Sequence, residues 1–441
     1  MGTTLIKNAR VLDCTGQAPF RADVTVRDNR IEDISSSVGG SYSSASSAYG
    51  SSSGTSNGYS SASTVIDANG MTLMPGLIES HSHFSYPDLE RIEQVGEIPP
   101  EEHMMLTLKN TETMIDAGFT SLFSAASARK RSDIVARNMI NKGVFKGPRI
   151  RAASPEMTPT AGLGDVNMEH MDRYSFSIVC DGADEYRKVS REMVREGVDV
   201  LKMNPSGDEF VPHADGQTTV MTEEEIAAVC EIGHIHGKMI AAHARSSLSV
   251  KLCLKHGVQV IYHANYADEE ALAMLESAKD SIFVAPAFGL AIATLEDAAP
   301  WGITRETAVS FGVQDQLDGA IINMKKLIQR GVRVLPGGDY GFAWNPVGNN
   351  ARDIGHFVKH LDMSPMDAIM SATKSGGEIM GMGDELGQVK KGFLADLILV
   401  EGDPLTDVNI LADRSRIKCV MKDGEVLKMA IPERGNANGY R

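Results

Sequence analysis

Residues Leu73 to His83 read LMPGLIESHSH, an apolar run crossed by Pro75-Gly76 and ending in two histidines one residue apart. A short apolar run bounded by turn residues is the pattern of a strand buried on both faces, as in a parallel sheet. Strand side chains alternate, so His81 and His83 point the same way. Seven similar runs follow: Ser121 to Ala126, Arg149 to Ala153, Val198 to Met203, Met239 to Ala244, Gln259 to His263, Ile282 to Ala285 and Val332 to Pro336. Helical patterns lie between several of them. The clearest is Thr222 to His236, where Thr222 and Glu225 stand in capping-box spacing, and Leu317 to Gln329 is another. Strands alternating with helices argue an α/β fold with a parallel sheet. Eight such units suit a closed (β/α)8 TIM-like barrel better than an open doubly wound sheet. No GxGxxG follows the first strand to support the open form.

Outside this repeat the pattern changes. Thr4 to Leu12, Ala22 to Val26 and Arg30 to Ile34 read as strands of a small sheet, with Asp28-Asn29 as a turn. At the other end Gly387 to Lys391, Leu394 to Val400 and Lys418 to Leu427 read the same way, with Asp423-Gly424 as a hairpin turn. The economical arrangement is a small β-sandwich domain from residues 1–70 and 385–441, with the barrel, 71–384, inserted between them. Residues 35–63 are mostly Ser, Gly, Ala and Tyr and read as a flexible insertion, because such a composition buries too little apolar surface to offset ordering.

Composition narrows the function. The 441 residues are 42% hydrophobic and 23% charged, which excludes a disordered chain. A net charge of −15 repels phosphates and anionic lipid, so neither nucleic acid nor a membrane surface is an expected partner. Small molecules and copies of itself, in a homo-oligomer, are. Five scattered cysteines without a CxxC pair give no disulfide or cysteine-zinc framework. With no long apolar span and no signal-peptide pattern at the N-terminus, a cytoplasmic protein is expected.

The chemistry gathers at strand ends. In a barrel His81 and His83 face inward, placed to chelate one metal ion or, more plainly, to be a partly exposed polar pair. Lys202 ends VDVLK, His243 ends MIAAH, His263 ends QVIYH, and Asp339 follows VLPGG. All belong at the barrel mouth. A lysine closing an apolar strand needs an acidic partner, Asp339 or Glu79, or a chemical change. The functional reading is that its neutral amine takes up carbon dioxide, giving a carbamate that bridges two metal ions. Phe84, Tyr86, Phe342 and Trp344 flank these residues and suit an apolar or aromatic substrate wall, or ordinary packing. Arg245 suits either a substrate carboxylate or a salt bridge to a loop acid. The segment Phe288 to Gln314 reads as a loop able to cover the site.

MPGLIESHSH, from Met74 to His83, resembles the first-strand signature of the amidohydrolase superfamily, and GQVKKGFLADLILVEGDPL, from Gly387 to Leu405, resembles the strand pair closing its small β domain. Lys202, His243, His263, Asp339 and the GPRI at Gly147 to Ile150 look most like the imidazolonepropionase-like branch. That branch includes Xaa-Pro dipeptidase-like carboxypeptidases and ochratoxinase-like amide hydrolases. The resemblance implies that His81, His83 and Asp339 bind one metal and His243 and His263 a second, with carbamylated Lys202 bridging them. It implies two divalent ions, zinc first, sharing a bridging hydroxide that attacks an amide carbonyl, with Asp339 and His263 as candidates for moving the proton. Glu79 stands where the signature usually has Asp; TSLFSA (Thr120 to Ala125) and TAGLGD (Thr160 to Asp165) also depart from the pattern. Competing readings are a mononuclear deaminase, a lactone hydrolase and a non-enzymatic assembly protein of the same fold.

Overall fold

The computed structural model describes residues 2–36 and 64–431, so most of the Ser/Gly-rich stretch 35–63 lies outside the described residues. Eight strands form one sheet: Thr3–Val11, Phe20–Arg27, Arg30–Ser36, Thr64–Asp67 and Thr72–Pro75 from the N-terminal side, and Leu397–Val400, Ile417–Lys422 and Glu425–Met429 from the C-terminal side. Thr72–Pro75 joins the two ends, pairing parallel with Thr3–Val11 and antiparallel with Leu397–Val400. The sheet folds back on itself. Ile31 donates its N–H to the Phe393 carbonyl and Ala395 donates to that of Asn29, each at 2.9 Å, closing a sandwich over Ile6, Val24, Leu73, Leu397 and Leu399. The Asp423-Gly424 turn takes positive φ at both residues, 49° and 75°, which suits the twist of a two-residue hairpin.

The second body is the barrel. Leu77–Ser82, Phe119–Ser124, Arg149–Arg151 with Ala153–Thr158, Val200–Met203, Met239–Ser246, Val260–Tyr266 and Phe283–Ala285 run parallel, in sequence order, with helices between most of them. In the eighth position Val334 bridges Val284, and Leu335 donates its N–H to the Val284 carbonyl at 2.9 Å. Phe123, Ala153, Val200, Ala241, Val260, Phe283 and Leu335 fill the interior. Leu122, Ile150, Leu201, Ile240 and Ile261 alternate with them and pack toward the helices.

Four readings from the sequence need correction. Leu73 to His83 is two strands, because the chain leaves the small sheet at Pro75 and enters the barrel at Leu77. Gly76 is the pivot: it passes so close to Thr120 that an added Cβ would meet Oγ1 at 2.2 Å. The third barrel strand does not stop at Ala153 but runs through Pro155 to Thr158, with the Ser154 hydroxyl accepting the Lys202 N–H at 2.9 Å. Gly387 to Lys391 forms no strand. Phe288 to Gln314 is not a loop: Phe288–Glu296 and Arg305–Ser310 are helices, and a third begins at Val313. Phe288–Glu296 is apolar almost all round and buried, so it lacks the polar stripe that marks a surface helix.

Candidate metal centre

His81 lies near the end of the first barrel strand and His83 just beyond it. Their Nε2 atoms stand 3.8 and 3.1 Å from Asp339 Oδ1. The three form a group whose possible ligand atoms lie within 4.8 Å of one another. Behind this group the His81 ring is 5.3 Å from that of His263, and His263 is 4.4 Å from His243. Lys202 stands over the face of Tyr262 at 5.4 Å, and His81 stacks on the same ring at 3.8 Å. The six residues read from the sequence therefore share one buried centre.

Local backbone conformation places several of them. Tyr262 faces inward by strand alternation, so His263 should face out. Instead His263 and Ala264 take positive φ, 80° and 51°, and the chain turns the imidazole back over the mouth. Asp339 is also left-handed, with φ 57°, and Asn345 holds its loop by donating Nδ2–H to the carbonyls of Gly338 and Asp339 at 2.9 and 3.2 Å. Such conformations are uncommon outside glycine and persist where surrounding structure fixes them, often at functional sites. Gly337 serves the approach of this loop to His81, since a Cβ there would lie 2.5 Å from the His81 Cβ.

The electrostatics suit a cation. Burial, reinforced by neighbouring positive charge, pushes His81, His243 and His263 well below the usual imidazole range, leaving neutral rings with free lone pairs. Burial would raise the Asp339 carboxyl, but His81, His83 and Lys202 outweigh it and hold the group well below the ordinary range. His263 is fully buried with both ring nitrogens unpartnered, although buried polar atoms nearly always have a partner. His243 Nε2 donates to the Gly207 carbonyl at 3.0 Å, which leaves the Nδ1 lone pair available. The His81 and His83 imidazoles beside the Asp339 carboxylate, with the unpartnered imidazole of His263 behind them, fit a divalent ion of the zinc type.

Residues 72–427 match the model of the amidohydrolase family. The chain belongs to this family. Its relatives include the ochratoxinase of Aspergillus niger, 24% identical over 375 residues, which are 81% of this chain and 75% of that enzyme. Another is a 5-methylthioadenosine/S-adenosylhomocysteine deaminase of Thermococcus kodakarensis, 21% identical, with 96% of this chain and 93% of that enzyme aligned. Among solved structures, a Xaa-Pro dipeptidase with methionine bound in its active site superposes with a TM-score of 0.82 at 25% identity, covering 97% of this chain and all of that one. Membership makes the chain a hydrolase of a generally metal-dependent family, consistent with the His81, His83 and Asp339 group.

The flanking residues of this amidohydrolase divide. Phe84 is not at the mouth: it lies in the apolar cluster containing Met114 and Ile115, because alternation turns it away from His83. Tyr86 is at the site, its ring edge-on to His83 at 4.9 Å. Phe342 and Trp344 stack at 5.3 Å, and Trp344 Nε1 donates to Thr294 Oγ1 at 3.0 Å, tying them to the buried helix Phe288–Glu296. Arg245 is buried and engaged within the chain: Nε and Nη2 each lie 2.8 Å from Asp208 Oδ2, and Nη1 donates to Asn265 Oδ1 at 2.9 Å. Glu79 accepts the His81 backbone N–H at 3.1 Å and Asn350 Nδ2–H at 2.9 Å; burial and Asp353 push its carboxyl up to about 8.

The partner of Lys202 is neither Asp339 nor Glu79. It is Glu156, opposite Lys202 in the strand register, with Oε1 3.2 Å from Nζ. The strand read from the sequence ends at Ala153, short of Glu156, which the strand Ala153–Thr158 contains. Tyr262 went unread as a platform because nothing in QVIYH distinguishes it from core.

Proposed function

We propose that this chain is a dinuclear metal hydrolase of the carboxypeptidase or amidase type. It cleaves an amide bond, in a dipeptide, an N-acyl amino acid or an ochratoxin-like amide, and releases an amino acid with a free carboxylate. Lys202 carries the reading. It is a 1%-exposed lysine ending a barrel strand beside three neutral histidines, a position with no use in a mononuclear deaminase. Its neutral Nζ adds to the carbon of carbon dioxide, one proton leaves, and the resulting carbamate supplies the anionic oxygens that a pair of cations needs. His81, His83 and Asp339 would hold one ion, His243 and His263 the other, with Lys202 shared. Bound there, divalent ions acidify a water and polarise the scissile carbonyl.

The chain's own groups do the rest. Asp339 Oδ1, 3.1 Å from His83 Nε2, is the carboxylate that takes the proton from the attacking water and returns it to the leaving nitrogen. Gly207 fixes the ring of His243 through its carbonyl, and Glu79 fixes the backbone of His81. Phe342 and Trp344 form an apolar wall on one side of the mouth. The names of the ochratoxinase and Xaa-Pro dipeptidase relatives support amide bonds as the substrate class. The deaminase relative favours a second reading, loss of ammonia from a heterocycle at a single ion.

Metal analysis with zinc, manganese or cobalt in the medium separates the two. We expect two ions per chain in wild type and loss of metal and activity in Lys202→Ala, with short-chain carboxylic acids partly restoring both. Lys202→Arg should not recover, since a guanidinium cannot become an anionic ligand. One ion per chain, or full activity in either variant, would defeat the dinuclear reading. A panel of dipeptides, N-acyl amino acids, ochratoxin-like amides and lactones then tests the substrate class.

A further inference from the structure

Asn204 contacts Glu156 directly and carries an unpartnered buried atom, as do Thr158 on the strand of Glu156 and Tyr86 beside His83. Asn204 is fully buried and donates Nδ2–H to Glu156 Oε2 at 2.9 Å and to the Leu163 carbonyl at 3.0 Å. Both partners are acceptors, so the amide orientation is fixed, and Oδ1 is left with nothing bound to it. Thr158 stands two residues beyond Glu156 on the same face of its strand, fully buried, with Oγ1 unpartnered. Tyr86 is 4% exposed, its ring against His83, and its hydroxyl also lacks a partner. A buried tyrosine hydroxyl ordinarily finds one.

The chemistry of this set has a direction. Asn204 Oδ1 and the Glu156 carboxylate only accept, while Thr158 and Tyr86 either accept or donate. Such a site calls for a ligand rich in N–H donors and positively charged. Lys202 now supplies that cation to Glu156 at 3.2 Å, with the Glu156 side chain 9% exposed. A Lys202 carbamate would be anionic and would withdraw it. A nearly buried carboxylate stripped of its partner is strongly disfavoured, so the carbamylated enzyme needs another ammonium at this position.

We infer that Glu156, Asn204, Thr158 and Tyr86 form a subsite for the free α-ammonium of a dipeptide. The inference rests on the amide-hydrolase reading above and narrows it: unblocked dipeptides are the substrates, and N-acyl amino acids and N-acyl dipeptides are rejected. An acyl cap removes the charge and leaves Asn204 Oδ1 and Glu156 facing a group with too few donors, the kind of mismatch by which polar sites discriminate strongly.

The test compares alanyl-alanine with N-acetyl-alanyl-alanine. On the zinc-loaded enzyme kcat/KM should favour the unblocked peptide by about 10- to 100-fold, as one charge-assisted contact allows. Glu156→Gln should bring the ratio near one with zinc content unchanged. Calorimetry on the Lys202→Ala protein, folded by circular dichroism and unable to form the carbamate, gives a readout free of turnover. The unblocked peptide should bind and the acetylated one should not, and adding Glu156→Gln should abolish binding. Should Lys202→Ala not fold, the same titration on metal-free wild type should show the weaker binding expected with Lys202 in competition. Equal kcat/KM for the two peptides, equal binding, or loss of zinc in Glu156→Gln, which would make Glu156 a metal ligand, overturns the subsite. Turnover of neither peptide nor of any other amide would instead count against the amide-hydrolase reading.

Discussion

Asp339 combines a carboxylate, a left-handed backbone and two histidine neighbours, and each of these depends on the others. Its φ of 57° is tolerated because Asn345 holds the carbonyls of Gly338 and Asp339 while Gly337 lets the loop close on His81. Asp339→Asn keeps the size and one oxygen but removes the charge. We expect turnover to fall by about 10² to 10⁴-fold, the usual range for a lost general acid or base. Metal content measured alongside separates ligation from proton transfer, and normal turnover with both ions retained would move the proton-transfer role to another group. The candidate ligand residues were legible because histidine, lysine and aspartate stand out at the ends of apolar strands. Glu156 and Asn204 were not, because their place depends on how the third strand crosses Pro155 and on which amide atom is satisfied. His263 was legible as a residue, but its direction was not, since period-two reasoning fails at a positive φ.

Among the elements, the helix Glu223–Ile235 matches its sequence reading closely. Thr222 Oγ1 accepts the Glu225 N–H and Glu225 Oε2 accepts the Thr222 N–H at 2.8 Å, the reciprocal pair that the spacing predicts. Glu225 does more than cap its own helix, because its Oε1 also accepts the Gly182 N–H at the entry to the helix Ala183–Glu196. Thr222→Ala should therefore cost about 1 kcal/mol, and Glu225→Ala more, since it strips a partner from two helix starts. Urea denaturation gives both values; equal losses would show that the Gly182 contact contributes nothing measurable. The helix Phe288–Glu296 shows the opposite case. Its sequence, FGLAIATLE, has no polar stripe and no side-chain cap, so nothing local announces a helix, and only packing beside Trp344 and the Asp339 loop explains it.

At the scale of the molecule, the small β domain and the barrel are joined by charge as well as by the shared chain. Arg149 begins the third barrel strand, and its guanidinium lies 2.5 Å from both Asp396, just before the strand Leu397–Val400, and Asp423, in the hairpin turn after Ile417–Lys422. Asp396 is 2% exposed and also accepts the Asp423 N–H at 2.8 Å, so one carboxylate fixes the hairpin turn and the barrel together. Nothing in GPRI reveals this pairing, because the partners lie more than 240 residues away and meet only after both ends have entered one sheet. Arg149→Ala should leave Asp396 as a buried charge without its cation and cost about 3 to 5 kcal/mol. Asp396→Asn alone leaves the guanidinium with Asp423 and its 16% exposure to solvent, so that variant should lose less. Because Arg149 starts its strand while Glu156 lies toward the far end, loss of the pair should lower stability with metal content intact in the protein that remains folded. Thermal unfolding read beside zinc content checks this. A variant with unchanged melting and reduced zinc would show that the junction acts on the metal centre instead of holding the two bodies together.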